Sequence, residues 1–225
     1  MVIGGLQKLS LVDFPNNLAC IVFTRGCNFN CDYCHNSELL CDNYAEINEN
    51  FIFEYLNQRK GMLNGVVITG GEPTIQKDLN EFIKRIKNLN LKVKLDTNGF
   101  KPEVIQQLIN ENLLDYIAMD IKTSLQKYKQ VVNKDYDFNI LKKSIDIIDN
   151  SGVDHEFRIT LFKPKINIDD LIEISKLIKD ETPLYLQNFK MSETVRNKDL
   201  TGFTDRELNE IFNVTTKYHK NTILR

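Results

Sequence analysis

Cys27-Asn28-Phe29-Asn30-Cys31-Asp32-Tyr33-Cys34 places three cysteines at CxxxCxxC spacing in one short stretch of chain. The apolar residues 20–24 precede it and predict a buried strand, and Gly26 marks where that strand should end. Three thiols this close can bind a single metal centre. Because the motif offers three ligands and not four, it predicts a centre with one open coordination position.

Two kinds of centre fit these thiols. Iron–sulfur clusters are held by cysteine thiolates, normally one per iron. Structural zinc is usually closed by four ligands that come from two separated CxxC pairs. The chain contains no second CxxC pair, although His35, Cys41 or Cys20 could supply a fourth ligand. The spacing therefore favours an iron–sulfur cluster, with a structural zinc site as the alternative.

The composition limits the classes of partner. The 225 residues carry a formal net charge of −2, so we expect neither nucleic acid nor an anionic membrane as a partner. The longest apolar runs are strand-sized, and the opening residues show no secretory signal. All five cysteines lie within the first 41 residues, which argues against a disulfide framework and indicates a reducing, cytoplasmic compartment.

Strand-like and helix-like stretches alternate after the cysteine loop, a pattern that predicts crossover units and a parallel sheet. The predicted strands are 20–24, 65–69, 91–95, 116–119, 157–162 and 184–186, and the predicted helices are 51–58, 79–89, 104–109, 141–148, 171–178 and 205–219. Six units are fewer than the eight of a closed barrel. We therefore expect an α/β fold with an open, partial (βα)6 TIM-like barrel. It should form a single domain, with a lead-in over 1–17, the barrel over 18–190 and a tail over 191–225.

Polar motifs follow three of these strands. The motifs are Gly70-Gly71-Glu72-Pro73, Asp96-Thr97-Asn98-Gly99 and Asp120-Ile121-Lys122. Each can be explained as turn or capping residues alone. Their shared position at the carboxyl ends of parallel strands also predicts one functional edge. Arg158 lies inside a predicted strand, where an unpaired arginine is costly, so it should face the barrel lumen or form a salt bridge at the rim.

The cysteine loop resembles the cluster motif of the radical S-adenosylmethionine (SAM) superfamily, including the aromatic Tyr33 before the last cysteine. Within that superfamily, two strings resemble the activating enzymes of glycyl radical enzymes. They are Cys31-Asp32-Tyr33-Cys34-His35-Asn36 and Ser10-Leu11-Val12-Asp13-Phe14-Pro15. The whole opening from Gly4 to Asn36 most resembles the branch that activates anaerobic ribonucleoside-triphosphate reductase.

The resemblance implies roles for the motifs. Cys27, Cys31 and Cys34 would hold a [4Fe-4S] cluster, and Tyr33 would lie against the adenine of SAM. Gly70, Gly71, Glu72 and Pro73 would bind the methionyl amino group. Asp96 and Asp120 would lie near a monovalent cation, with Lys122 near the SAM carboxylate. Thr97 and Asn98, from the same motif as Asp96, are further candidates for cofactor binding. Gln187 and Asn188 stand where some relatives carry a histidine associated with the ribose, which leaves the ribose contact open.

The resemblance also implies the reaction. SAM would be cleaved reductively at the cluster, and the resulting 5′-deoxyadenosyl radical would take a hydrogen atom from a glycine of a partner enzyme. That partner would be the large subunit of anaerobic ribonucleoside-triphosphate reductase, and flavodoxin or ferredoxin would donate the electron. No catalytic residue beyond the cluster and cofactor is implied. Two alternatives remain, a radical SAM enzyme for a small molecule, such as one resembling 7-carboxy-7-deazaguanine synthase, and a non-catalytic zinc-binding module.

Overall fold

The computed structural model describes residues 1–41 and 45–225. Its contacts divide the chain into two compact units. The first unit comprises Met1–Asn28, Asn36–Thr97 and Glu103–Ala118, and the second comprises Phe29–His35, Asn98–Pro102 and Met119–Arg225.

The first unit is a mostly parallel sheet with helices between its strands. Its elements are β1 (Ile3–Ser10), β2 (Ala19–Thr24), α1 (Glu49–Gln58), β3 (Gly65–Gly70), α2 (Leu79–Lys87), β4 (Lys92–Thr97), α3 (Pro102–Asn110) and the first part of β5 (Tyr116–Asp120). The strands pair in chain order. β1 is antiparallel to β2, whereas β2 is parallel to β3 and β3 is parallel to β4. Parallel pairing aligns the carboxyl ends of β2, β3 and β4 at one edge.

Local sequence explains the helices of this unit. Asn48 caps α1, and its side chain accepts a hydrogen bond from the Asn50 amide at 2.8 Å. In α2, the buried residues recur at spacings of three and four and pack on the sheet; they are Leu79, Phe82, Ile83 and Ile86. Each such side chain contributes about 1.5–3 kcal/mol by leaving water. This burial fixes the strand ends that carry the polar motifs.

The second unit continues from the end of β5. Its further elements are α4 (Tyr128–Val132), α5 (Ile140–Asp149), β6 (Asp154–Leu161), α6 (Ile168–Ser175), β7 (Leu184–Asn188), α7 (Asp205–Thr215) and β8 (Thr222–Leu224). The strands β6, β7 and β8 are parallel neighbours. Helix α7 begins with a capping box, in which Thr204 and Glu207 bond each other's backbone amides.

All six predicted strands and all six predicted helices are present in the described residues, with ends that move by a few positions. The last strand predicted from the sequence, 184–186, is present as β7, but a further strand, β8, follows α7 and pairs with it. Three residues are too few to show a periodic pattern, so only the pairing reveals this strand. Strand β1 and helix α4 were also not predicted from the sequence. None of the helices in the described part of the chain has the length and apolarity that a bilayer-spanning segment needs.

His155, which is partly buried, is predicted to make stability depend on pH. Its ring donates to the Val153 carbonyl at 2.7 Å and contacts the Asp149 carboxylate at 3.1 Å. Burial lowers the pKa of His155, but these contacts outweigh it and raise the pKa above its ordinary value. A raised pKa gives stability that is complete below about pH 6.5 and is lost as the pH rises through the higher folded value. Unfolding by urea at several pH values should show this loss.

Replacing His155 by Gln should flatten that part of the profile. Asp149→Asn should do the same, because the carboxylate is the group that favours the charged ring. An unchanged pH profile in both variants would contradict the assignment.

Candidate cluster and cofactor site

All five cysteines carry free thiols, as a metal centre requires. Cys31 is buried, whereas Cys27 and Cys34 are partly exposed. Burial raises the pKa of Cys31 to about 11, although the nearby charges of Lys122 and Arg196 lower it. Thiols bind metal as thiolates, so uptake of iron by this thiol would release a proton. Among the described residues, no three His, Cys, Asp or Glu side chains are already gathered in a geometry that could hold a metal ion.

The remaining two cysteines differ from the motif in environment. Cys20 lies in β2 with no exposure, and burial raises its pKa to about 12. It therefore behaves as a small apolar core residue, as its place in a predicted strand suggested. Cys41 is exposed. Its possible part in a metal site stays untested.

In the first unit, two glycine-containing turns approach each other closely. Gly71 donates its amide to the Thr24 carbonyl, and Glu72 donates to the Gly26 carbonyl, both at 2.9 Å. A Cβ atom on Gly71 would overlap the carbonyl of Gly26, and Gly70 has φ of +116°. Side chains are therefore excluded at both glycines. The space beside each glycine is filled by the backbone of residues 23–26, so the two turns need glycine to pack this closely.

Glu72 is buried and held by hydroxyl and amide donors. Its Oε1 accepts from the Thr74 amide at 3.0 Å, the Thr74 hydroxyl at 2.5 Å and the Thr97 hydroxyl at 2.7 Å. The carboxylate is only 1% exposed. This network joins the motif after β3 to the motif after β4. Pro73 follows as the first residue of a short 3-10 turn, which Glu72 caps.

Thr97→Val is predicted to destabilise the protein by about 1.5–3 kcal/mol, because a buried carboxylate loses a hydroxyl donor. Thr97→Ser keeps the hydroxyl and should recover most of that loss. The free energy of unfolding in urea is the measurement. Equal stability of the Val and Ser variants would mean that the hydroxyl contributes nothing.

Asp96 already has a cationic partner in the chain. The ammonium of Lys94 lies 2.5 Å from Asp96 Oδ1, and Lys94 is 2% exposed. Ile21, Val67 and Lys94 are aligned across β2, β3 and β4, so the ammonium shares a sheet face with apolar side chains. A buried ammonium there requires an anionic partner. The predicted monovalent cation near Asp96 would therefore share this carboxylate with Lys94.

In the second unit, Asp120, Lys122 and Arg158 form one charged group. Arg158 Nε lies 2.8 Å from Asp120 Oδ1, and Lys122 Nζ lies 3.1 Å from Oδ2. Burial raises the pKa of Asp120, but the two cations outweigh it and hold the pKa well below its usual range. Burial lowers the pKa of Lys122, and Asp120 raises it well above the ordinary value. All three side chains are therefore charged at neutral pH.

Tyr33 is buried beside this charged group. Its ring stacks on Phe162 with centroids 4.4 Å apart, and Lys122 Nζ lies 6.0 Å from its centroid. Burial raises its pKa well above the usual value, so the phenol stays neutral. Its hydroxyl is buried and has no hydrogen-bond partner among the described residues. Such an unpaired group suits a site that a polar ligand completes, and the contact with adenine stays a prediction.

Gln187 and Asn188, the last two residues of β7, have different roles. Asn188 bonds the backbone of Phe203 in both directions, through Nδ2 and Oδ1, each at 2.9 Å. Its amide is therefore used by the fold. The side-chain amide of Gln187 makes no hydrogen bond in the described part of the chain. The backbone of Gln187 lies opposite Thr160 in the pairing of β6 with β7. Gln187 is thus the better candidate of the two for a ligand contact. Asn98 accepts from the Phe100 amide at 3.0 Å and shapes its own turn.

The structure thus gathers the predicted residues into two sets. Glu72 and Thr97 are bonded in the first unit, and Asp120, Lys122 and Arg158 are bonded in the second. Sequence reasoning missed Lys94 and Arg196, which contact Asp96 and the Cys31 carbonyl. Lys94 belongs to an alternating stretch in which its neighbour Lys92 is exposed. Nothing in that pattern distinguished the buried lysine from the exposed one.

Comparison with known proteins gives the family. The model described as the radical SAM superfamily matches residues 21–178. The chain belongs to the radical SAM superfamily. This radical SAM enzyme therefore uses a [4Fe-4S] cluster and SAM, and the alternative of a zinc-binding module without catalysis is set aside.

Relatives of this radical SAM enzyme are named as two different kinds of enzyme. A Methanocaldococcus jannaschii protein, provisionally named a glycyl-radical enzyme activating enzyme, is 32% identical across all of this chain and 95% of its own length. A second protein of that organism with the same kind of name is 28% identical over 79% of this chain and 68% of its own length. A Saccharolobus solfataricus protein, provisionally named a GTP 3′,8-cyclase, is 33% identical over 56% of this chain and 43% of its own length.

Solved structures support the fold of this radical SAM enzyme. The crystal structure of Streptococcus suis SuiB superposes with a TM-score of 0.69 at 16% identity, over 91% of this chain and 48% of that protein. A SuiB structure bound to S-adenosylmethionine gives the same TM-score over 88% of this chain. The α/β fold with a parallel sheet predicted from the sequence is confirmed.

Proposed function

We propose that this radical SAM enzyme installs a glycyl radical on a partner enzyme. The observation that carries the proposal is the end-to-end match to a relative provisionally named as such an activating enzyme, which spans all of this chain. The opening segment and the Cys34-His35-Asn36 string, which resemble this class of activating enzyme, agree with it. The proposed partner is the large subunit of anaerobic ribonucleoside-triphosphate reductase.

The proposal assigns Cys27, Cys31 and Cys34 as the cluster ligands. The donor set fits the group, since all three cysteines carry free thiols that could bind iron as thiolates after losing their protons. When bound, the reduced cluster would supply one electron for reductive cleavage of SAM to methionine and a 5′-deoxyadenosyl radical. Free thiols on every cysteine also support a reducing, cytoplasmic setting as part of the proposal.

The chain's own residues would orient SAM. The backbone at Gly70 and Gly71 would bind the methionyl ammonium, with the buried carboxylate of Glu72 beside it. Lys122 would attract the SAM carboxylate, a favourable pairing of opposite charges. Asp120 and Arg158 hold Lys122 in place through their shared ion pairs. Tyr33 and Gln187 would contact the nucleoside.

The proposed reaction ends on the backbone of the partner. The radical would take a hydrogen atom from the α-carbon of one glycine, which must leave its own fold to reach the cofactor. A closed barrel would be filled with side chains, so an open one suits this task. The electron would come from a small donor such as flavodoxin or ferredoxin.

The test is anaerobic incubation with SAM, a reductant and the reductase large subunit, followed by electron paramagnetic resonance. We expect a glycine-centred doublet that forms only when this enzyme, SAM, the reductant and the large subunit are all present. A variant of the large subunit with the radical glycine replaced by alanine is the control. Release of 5′-deoxyadenosine without a doublet on any glycyl radical enzyme would overturn the proposal.

A small-molecule reaction is the second candidate. The 33% identity to a protein provisionally named a GTP 3′,8-cyclase favours it, although that match covers only 56% of this chain. A rate of 5′-deoxyadenosine release that is increased by a nucleotide, and not by the reductase, would favour this candidate.

A further inference from the structure

The loop that carries Cys31 and Cys34 is held by residues 190–197, which lie far away in the sequence. The ring of His35 donates to the Lys190 carbonyl at 2.7 Å, and the Thr194 hydroxyl donates to the His35 carbonyl at 2.6 Å. The Asn197 amide donates to the Asp32 carbonyl at 3.2 Å. The 190–197 segment therefore makes hydrogen bonds to Asp32 before Cys34 and to His35 after it.

Arg196 makes the contact nearest to a predicted ligand. Its Nη2 donates to the Cys31 carbonyl at 3.0 Å. The guanidinium remains charged at any pH that a protein tolerates. Lys122 is the other cation near Cys31, and it shares the Asp120 carboxylate with Arg158. No ion pair of Arg196 occurs in the described part of the chain, so no carboxylate described there neutralises its charge.

The 190–197 segment is itself well anchored. Val195 has no exposed surface. The hydroxyls of Ser192 and Thr194 lie 2.9 Å apart, and Lys198 Nζ donates to the Ser192 and Glu193 carbonyls at 3.3 and 2.9 Å. Arg196 therefore extends from a fixed backbone, and its charge is held at one place relative to Cys31.

The potential of an iron–sulfur cluster depends on nearby charge, hydrogen bonds and solvent exposure. Reduction adds one electron to the cluster, so a fixed positive charge favours the reduced form. We propose that Arg196 is a positioning residue that holds Cys31 and raises the reduction potential of the cluster, with the 190–197 segment as its support. This inference rests on the assignment of Cys31 as a cluster ligand.

The test is a redox titration of the reconstituted enzyme without SAM, followed by electron paramagnetic resonance of the reduced cluster. Arg196→Gln should retain iron and lower the equilibrium constant for one-electron reduction by roughly fivefold, a size typical of a charge near a protein surface. Arg196→Lys keeps the charge and should restore most of the potential. Arg206→Gln is the matched control, because Arg206 is 90% exposed and pairs only with Glu210 on α7 among the described residues.

Salt provides a readout that a structural role would not change. Raising the ionic strength should lower the potential of the wild-type enzyme more than that of Arg196→Gln, because an exposed charge is screened. An Arg196→Gln variant with wild-type iron content and wild-type potential would overturn the inference.

Loss of iron in the variants also has a defined meaning. If Arg196→Gln loses iron, an Arg196→Lys variant with full iron and near-normal potential supports the role of the charge. If both variants lose iron, Arg196 has only a structural role in the loop and the inference fails. Wild-type protein that takes up no cluster would instead overturn the ligand assignment, and the inference with it.

Discussion

Cys31→Ala is expected to lose the cluster and to lower SAM cleavage by at least about 100-fold. A change to an outer-shell partner of a metal already costs 10–100-fold, and this change removes a proposed ligand. The same result is expected for Cys27→Ala and Cys34→Ala. Iron content, absorbance near 400 nm and release of 5′-deoxyadenosine after anaerobic reconstitution are the measurements.

Cys20→Ala and Cys41→Ala are the matched controls. Cys20 is fully buried in β2 and Cys41 is exposed, so both changes should leave iron uptake intact. Cys20→Ala should cost some stability, because it removes a buried sulfur from the core. A Cys41→Ala variant that cannot hold iron would show that the ligand set is not the three cysteines of the loop.

Gly71→Ala is expected to lower the free energy of unfolding by about 3 kcal/mol or more, the upper range of overpacking effects. The new Cβ would overlap the carbonyl oxygen of Gly26, which is backbone and cannot rotate away. The turns after β2 and β3 would have to separate, so SAM affinity should fall as well. Unfolding in urea under anaerobic conditions and binding of SAM by calorimetry are the measurements.

Gly5→Ala separates this clash from the general effect of adding a methyl group. A Cβ there would meet the side chain of Phe23 at 3.3 Å, and a ring can move by a few tenths of an ångström. We expect a change within about 0.5 kcal/mol, as for an ordinary surface substitution. Near-equal stability of the two variants would mean that the approach of Gly71 to Gly26 is not needed by the fold.

The sequence predicted the regular elements where the pattern is local and long enough. The strand at 65–69 and the helix at 79–89 were found because apolar runs and spacings of three and four are visible within ten residues. Strand β8 was missed because it has only three residues and is stabilised by pairing with β7. Helix α4, with five residues, was missed for a similar reason.

The spacing of Cys27, Cys31 and Cys34 and the alternation of strands with helices were determined by the sequence alone, since thiol spacing and periodicity are local properties of the chain. Only the tertiary structure decided the partners. Lys94 lies against Asp96, and Arg158 lies against Asp120, because a cation that is largely removed from water needs an anionic partner. The contact between Arg196 and the Cys31 carbonyl spans 165 positions. No local pattern encodes such a distance, because it depends on how every strand between the two residues is packed.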